Sequence, residues 1–218
     1  MTAAIVLGGG RASRLGGADK ASVEVDGRML LDHVLAAVAD CSPVVVAGPA
    51  HLARPGVTVV REDPPYGGPV AGLAAALGAL GANFCRTPRH AARGALDTAR
   101  RDDLQKNAAA EETWLLACDL PRAADIVALL RPVPIPDEAD AVILADADGR
   151  PQWLAGRYRT AALRTALAAL PTPHDASMRR LVGGIRTVLV PDAHGAAVDL
   201  DTWAAIDHYR STRREPHA

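Results

Sequence analysis

The stretch Ala3-Ala4-Ile5-Val6-Leu7-Gly8-Gly9-Gly10-Arg11-Ala12-Ser13-Arg14-Leu15-Gly16-Gly17-Ala18-Asp19-Lys20 decides the reading of this chain. Ala3–Leu7 contains no polar residue, the pattern of a strand buried on both faces of a sheet, and it runs straight into three glycines. Glycines let a backbone approach a ligand closely and turn its N–H groups onto phosphate oxygens. Arg14 and Lys20 then supply charge for a triphosphate, arginine by clamping two oxygens and lysine by following a phosphate whose charge moves. Only two of the 24 basic residues are lysines, Lys20 and Lys106, so a lysine inside a motif stands out against an arginine-rich background. Leu7, Gly8, Gly9, Gly10, Arg14 and Lys20 are therefore candidate nucleotide-binding positions.

Two familiar phosphate loops fail here. The dinucleotide fingerprint needs glycine where the chain has Ser13, and an acidic residue after the second strand where it has Ala47-Gly48. The Walker loop needs Gly-Lys-Ser/Thr, but Asp19 precedes Lys20 and Ala21 follows it.

Working outward, short apolar runs alternate with helical spacing. Val44–Ala47, Val57–Val60, Trp114–Ala117, Ala141–Ala145 and Thr187–Val190 read as strands. Leu30 to Val38, Val70 to Leu80, Ile126 to Leu130, Tyr158–Leu170 and Thr202–Arg210 read as helices. This alternation predicts one α/β domain, a Rossmann-like three-layer structure with a mostly parallel sheet. Ligands of such sheets sit beyond the carboxyl ends of the strands, so the loops after Leu7, Val60 and Ala117 are where a site belongs. The domain is expected to span residues 1–211, with a flexible tail at 212–218. A stretch at about 82–112, carrying Arg86, Arg89, Arg93, Arg100 and Arg101, interrupts the pattern. It reads either as a solvated, partly helical excursion or as a basic lid over an anion.

Composition excludes several classes of function. Acidic residues number 25 and basic ones 24, so no global field draws in nucleic acid or an anionic membrane. No run reaches the roughly 18 apolar residues of a membrane span, and the start MTAAIVLGGG has no basic region of a secretion signal. Cys41, Cys85 and Cys118 form no CxxC or metal-ligand cluster, which fits a cytoplasmic protein. The histidines are scattered; His33 is expected to face outward from a helix, and His217 lies in the tail.

Asp119 ends an apolar strand, followed by Leu120-Pro121. It reads as a magnesium ligand or as the N-cap of the helix beginning near Arg122. Asp63 precedes Pro64-Pro65 and Gly68. It is placed to accept hydrogen bonds from N1–H and N2–H₂ of guanine, or to form a turn before the prolines; Glu62 is the less favoured acid.

Five motifs in order resemble the molybdenum cofactor guanylyltransferase family. Leu7–Ala21 is similar to its nucleotide signature LAGGxxxRMGxxDK, and Gly68-Pro69-Val70-Ala71-Gly72-Leu73 to its GPLAGI. Ala117-Cys118-Asp119-Leu120-Pro121 resembles xCDMP, and Gln152-Trp153-Leu154 with Tyr158-Arg159 resembles QPLxxxYR. Val198-Asp199-Leu200-Asp201-Thr202 falls where the family has NxNTP or DxDTP. The resemblance implies a nucleotide-diphospho-sugar transferase-like fold. It implies transfer of GMP from MgGTP to molybdopterin cofactor with release of pyrophosphate. Arg14, Lys20 and Asp119 would be catalytic, Mg2+ would sit on Asp119 and Asp201, and Gln152, Trp153 and Arg159 would lie on the acceptor side. Asp63 and Gly68 would join the nucleotide site. GTP and molybdopterin are the expected partners of a monomer, with transient contacts to proteins of the cofactor pathway. The chain departs from the family at Gly8, at Gly48 where asparagine is frequent, in the long 82–112 stretch, and at Asp199 and Asp201. The last pattern is shared with related cytidylyltransferases, so a CTP-using enzyme is one rival and a non-catalytic nucleotide-binding protein another.

Overall fold

A computed structural model of the protein describes residues 1–9, 19–83 and 110–214. Gly10, Arg14, Cys85, Lys106, His217, the arginines at 86–101 and the end of the tail lie outside the described residues. In chain order the elements are β1 (Thr2–Leu7), β2 (Glu24–Val25), β3 (Arg28–Met29), α1 (Leu30–Ala37), β4 (Val44–Ala47), β5 (Val57–Val60) and α2 (Pro69–Asn83). They continue with β6 (Glu112–Ala117), α3 (Ala123–Leu130), β7 (Ala141–Ala145), β8 (Pro151–Arg159), α4 (Thr160–Ala168), α5 (Met178–Val182), β9 (Thr187–Pro191) and α6 (Trp203–Arg214).

The main sheet has the order β5-β4-β1-β6-β8-β7-β9. β1 pairs in parallel with β4 and β6, β4 with β5, and β7 with β9. β8 alone runs against its neighbours β6 and β7. The uninterrupted apolar strands divide their side chains between two cores, as the two-residue repeat of a strand requires. Ala4, Val6, Val46 and Leu116 face α1 and α3. Ile5, Leu7, Val45 and Leu115 face α2, α4 and α5. The three layers predicted from the sequence follow from this division.

A third, smaller core joins distant segments. Val23, Val25 and Leu30 pack with Leu200, Ile206 and Tyr209. Arg210 reinforces it by donating to the Glu24 carbonyl at 2.6 Å. The hairpin β2–β3, just after Lys20, is thereby tied to α6 at the far end of the chain.

Three expectations need correction. Tyr158 and Arg159 do not begin a helix; they end β8. Tyr158 is fully buried and donates to the Trp153 carbonyl at 2.7 Å, so pairing on both sides of the strand overrides the apparent helical spacing. The helix starts at Thr160, whose hydroxyl meets that of Thr113 at 2.8 Å. His33 does not simply face outward: its Nε2 donates to the Val25 carbonyl at 2.9 Å and holds the hairpin. The last helix runs beyond Arg210 to Arg214. No described helix is long and apolar enough to cross a membrane.

Candidate active site

The main-chain ladder carries on past the ends of the central strands. Gly8 N–H donates to Ala47 at 2.8 Å, Gly48 N–H to Val60 at 2.8 Å, and Cys118 N–H to Leu7 at 3.1 Å. The loops after β1, β4, β5 and β6 therefore open at one level, on the carboxyl edge of the sheet. β1 lies where the strand order reverses, between β4 and β6, and a crevice is expected there.

A cleft of about 480 Å³ occupies that place. Leu7 and Gly9 come from β1 and its loop, Ala47 from β4, and Glu62, Tyr66 and Gly68 from the loop after β5. Gly68 has φ 88°, open to glycine at little cost, and the next residue, Pro69, starts α2 in the position proline favours. The N-terminus of this helix, with its partial positive charge, thus opens on the cleft. Asp175 completes the lining. Its N–H donates to the Gly67 carbonyl at 2.8 Å. A Cβ at Gly67 would lie 2.8 Å from Ala71 Cβ and 2.9 Å from His174 Cδ2, so the two loops meet only because residue 67 has no side chain.

Lys20 and Asp119, 99 positions apart, meet at 3.1 Å between Nζ and Oδ2. Asp119 is buried and follows β6 directly. It does not cap α3, whose N-cap is Arg122 without a side-chain bond. The alternative role left open by the residues is thus excluded. Lys20 begins a short 3-10 turn, Lys20–Ser22, capped by Asp19. Asp19 Oδ1 accepts from Ala21 N–H at 3.1 Å and Oδ2 from the Ser22 hydroxyl at 2.9 Å. Asp19 shapes the turn.

The second acidic segment of the site arrives from the C-terminal part of the chain. Asp192 accepts main-chain N–H bonds from His194, Ala196 and Ala197 at 3.3, 2.8 and 2.7 Å. Burial works to raise its pKa, but the three N–H donors, helped by Arg122, outweigh it and hold the carboxyl below its ordinary value. Arg122 also donates to the His194 carbonyl. The loop so formed returns to β6, where Leu200 N–H donates to the Asp119 carbonyl at 3.1 Å. Asp199 and Asp201 flank that contact. Desolvation first, then the carboxylates of Asp119 and Asp201, push the Asp199 pKa up.

Asp119 and Asp201 could contribute to a magnesium site only together with substrate oxygens. No three described His, Cys, Asp or Glu side chains group closely enough to hold a metal ion unaided. Magnesium is instead bound through one or two carboxylates together with substrate phosphates and waters, and Asp119 and Asp201 are all-oxygen donors whose mutual charge is already felt at Asp199.

The remaining sequence candidates separate. Gly8 is buried beneath the cleft, with Leu52 Cδ1 2.8 Å from where its Cβ would stand. Asp63 is exposed and outside the described cleft lining, whereas Glu62 lines it and accepts from Tyr66 N–H at 2.9 Å. The turn after β5 thus brings Glu62, and not Asp63, to the cleft. Gln152 and Trp153 lie at the cleft end of β8, near Ala155, which pairs with Leu116. Gln152 donates to Asp146 at 3.0 Å within the β7–β8 turn, and Trp153 packs against the second core. Arg159 is at the other end of the strand, paired with Glu112 at the start of β6. Seven extended residues from Gln152 place it roughly 23 Å away. It holds the carbonyls of Ile135, Pro136 and Ala139 at 3.1 to 3.2 Å, a structural clasp. Tyr66 and Asp175 escaped sequence reasoning; the glycines at 67 and 68 marked the first, and nothing near Asp175 marked the second.

The sequence pattern of the MobA-like NTP transferase domain matches residues 4–189. A molybdenum cofactor guanylyltransferase of Bradyrhizobium sp. (strain ORS 278) is 44% identical over 78 residues, 34% of this chain and 37% of that one. One of the same name from Acidiphilium cryptum (strain JF-5) is 42% identical over 79 residues, 34% of this chain and 40% of that one. The match thus spans well under half the length of these relatives. Among solved structures, molybdopterin-guanine dinucleotide biosynthesis protein A from Archaeoglobus fulgidus superposes with TM-score 0.62 at 17% identity, over 98% of both chains. The 2-C-methyl-D-erythritol 4-phosphate cytidylyltransferase from Thermus thermophilus does so with TM-score 0.59 at 19% identity, over 99% of this chain and 100% of that one. These two share the fold.

Proposed function

Because the chain belongs to the MobA-like NTP transferase domain family, we propose that it transfers GMP from MgGTP to the phosphate of molybdopterin cofactor and releases pyrophosphate. The observation that carries the reading is the Lys20–Asp119 pair, 3.1 Å apart, beside the cleft at the carboxyl edge of the sheet. A cation and a carboxylate paired next to the glycine-rich sequence support a triphosphate-binding reading. The curated relatives bear guanylyltransferase names over the matched third of this chain, which supports the same chemistry.

An acceptor phosphate is ionised at neutral pH and needs no strong general base. The protein has two anions to bring together and charge to stabilise on the α-phosphate and the leaving pyrophosphate. Positioning and electrostatics accomplish this. Lys20 holds phosphate oxygens, and Arg14 joins it in this proposal. Asp119, with Asp201, would hold Mg2+, which would neutralise phosphate charge when bound. The amino end of α2 adds its dipole at the cleft. Glu62 reads the base: after its bond to Tyr66 N–H the carboxylate retains lone pairs for N1–H and N2–H₂ of guanine. Gln152 and Trp153 are left as the acceptor-side residues. The near-neutral charge supports small-molecule partners rather than nucleic acid.

Calorimetric titration with GTP, CTP, ATP and UTP, each with and without magnesium, tests the proposal. GTP is expected to bind most tightly, and only with the metal present. A preference for CTP moves the protein to the cytidylyl branch. Binding of none, with molybdopterin present or absent, overturns the catalytic reading.

A further inference from the structure

The short turn Ala50–Leu52, just after β4, touches the chain on both sides of residues 10–18. Before that stretch, Leu52 is 1% exposed and its Cδ1 lies 2.8 Å from where a Cβ would stand on Gly8 and on Gly48. The turn is therefore seated directly on the backbone that starts the glycine-rich sequence. After that stretch, His51 Nε2 meets Asp19 Oδ2 at 2.5 Å. An ionised carboxylate can only accept, so the imidazole is the donor. Asp19 in turn caps the turn that begins with Lys20, and Lys20 reaches Asp119 at 3.1 Å. Contacts thus lead from the end of β4, through His51 and Asp19, to the main-chain turn that carries Lys20.

We propose that His51 is a positioning residue for the phosphate-binding side of the cleft, fixing Lys20 through Asp19. This rests on the nucleotidyltransferase reading above. The side chain of His51 is 56% exposed and that of Asp19 29%, and a pair so open to water contributes little to global stability. What the bond governs is the direction of the Asp19 carboxylate, which already serves Ala21 N–H and the Ser22 hydroxyl. Without the imidazole, the capped turn and the lysine after it have more orientations, and a ligand contacting Lys20 bears the cost of selecting one.

Three proteins are compared: wild type, His51→Leu and His51→Gln, the last retaining an N–H donor. Affinity for MgGTP is measured by calorimetry, affinity for GMP by competition against it, and thermal midpoints are recorded. GMP lacks the β- and γ-phosphates. His51→Leu is expected to weaken MgGTP roughly fivefold, the factor one hydrogen bond carries. GMP affinity and Tm are expected to stay unchanged, and His51→Gln to recover most of the loss. Equal MgGTP affinity in wild type and His51→Leu overturns the inference and leaves the proposed function standing. A parallel loss of both nucleotides with a lowered Tm also overturns it, because His51 is then only structural. A wild type that binds neither nucleotide overturns this inference together with the function it rests on.

Discussion

Lys20 and Asp119 show how much one residue pair is asked to do. Their side chains are 26% and 12% exposed, so the pair is partly withdrawn from water, and removing one partner leaves the other charge poorly compensated. Lys20→Ala leaves Asp119 facing Asp199 and Asp201 with less positive charge nearby. In the proposed reaction it also removes a cation from the developing charge. A fall in kcat/KM of roughly a hundredfold is expected, within the range of deleting one electrostatic donor. Steady-state kinetics with GTP and molybdopterin read it, and unchanged constants would remove Lys20 from the site. The lysine was visible in the sequence because it stood in a motif. Its partner as such was not, since a contact across 99 positions is invisible to local pattern. Glu62 illustrates the same limit: adjacent acids look alike in sequence, and only the turn after β5 decides that Glu62, and not Asp63, lines the cleft.

At the scale of elements, β8 is the informative case. It is the antiparallel strand slotted between β6 and β7, and its spacing looked helical at Tyr158. Gly156 lies opposite Ile143 in the β7 pairing, and a Cβ there would come within 2.3 Å of Ile143 Cγ2 and 3.1 Å of the Val142 carbonyl. Gly156→Ala is therefore expected to cost about 1–3 kcal/mol by overpacking. Combined with Ile143→Ala it should cost less than the two single losses added together, because the nearest clash is with that side chain. Urea unfolding of the single and double variants measures both; a single variant as stable as wild type would mean the strands separate easily at this point. The parallel strands were legible because strands buried on both faces read as plain apolar runs. β8 mixes Gln152, Arg157 and Arg159 with Trp153, Leu154 and Tyr158, so no single period identifies it.

Across the whole molecule, the site depends on a loop delivered from the C-terminal part of the chain, and Asp192 holds that loop. Its folded pKa lies below the unfolded value of about 3.9. The stability it contributes is thus fully present above that pH and is lost as pH falls through the folded pKa. Asp192→Asn should lower the thermal midpoint at pH 7, and the gap from wild type should close as the pH drops below about 4. Midpoints recorded from pH 7 to pH 3 test this; a gap that stays constant into acid would assign the loss to packing alone. Asp40 and Asp140, held low by bonds to Arg131 and Arg186, shift acid stability of wild type and variant alike.

The sequence by itself determined the three-layer α/β class and the strands on either side of β1, and it pointed to the carboxyl edge of the sheet as the place to look for a site. These follow from local periodicity, glycine chemistry and the rule that ligands gather where parallel strands end. Tertiary structure alone decided the Lys20–Asp119 contact, the place of Asp175 in the cleft lining, the choice of Glu62 over Asp63, and the removal of Arg159 to the opposite end of the sheet. Each of these is set by how separate segments pack and in which direction a strand runs. Residue type and spacing carry no information on strand direction, and a change of direction moves a side chain from one edge of the sheet to the other.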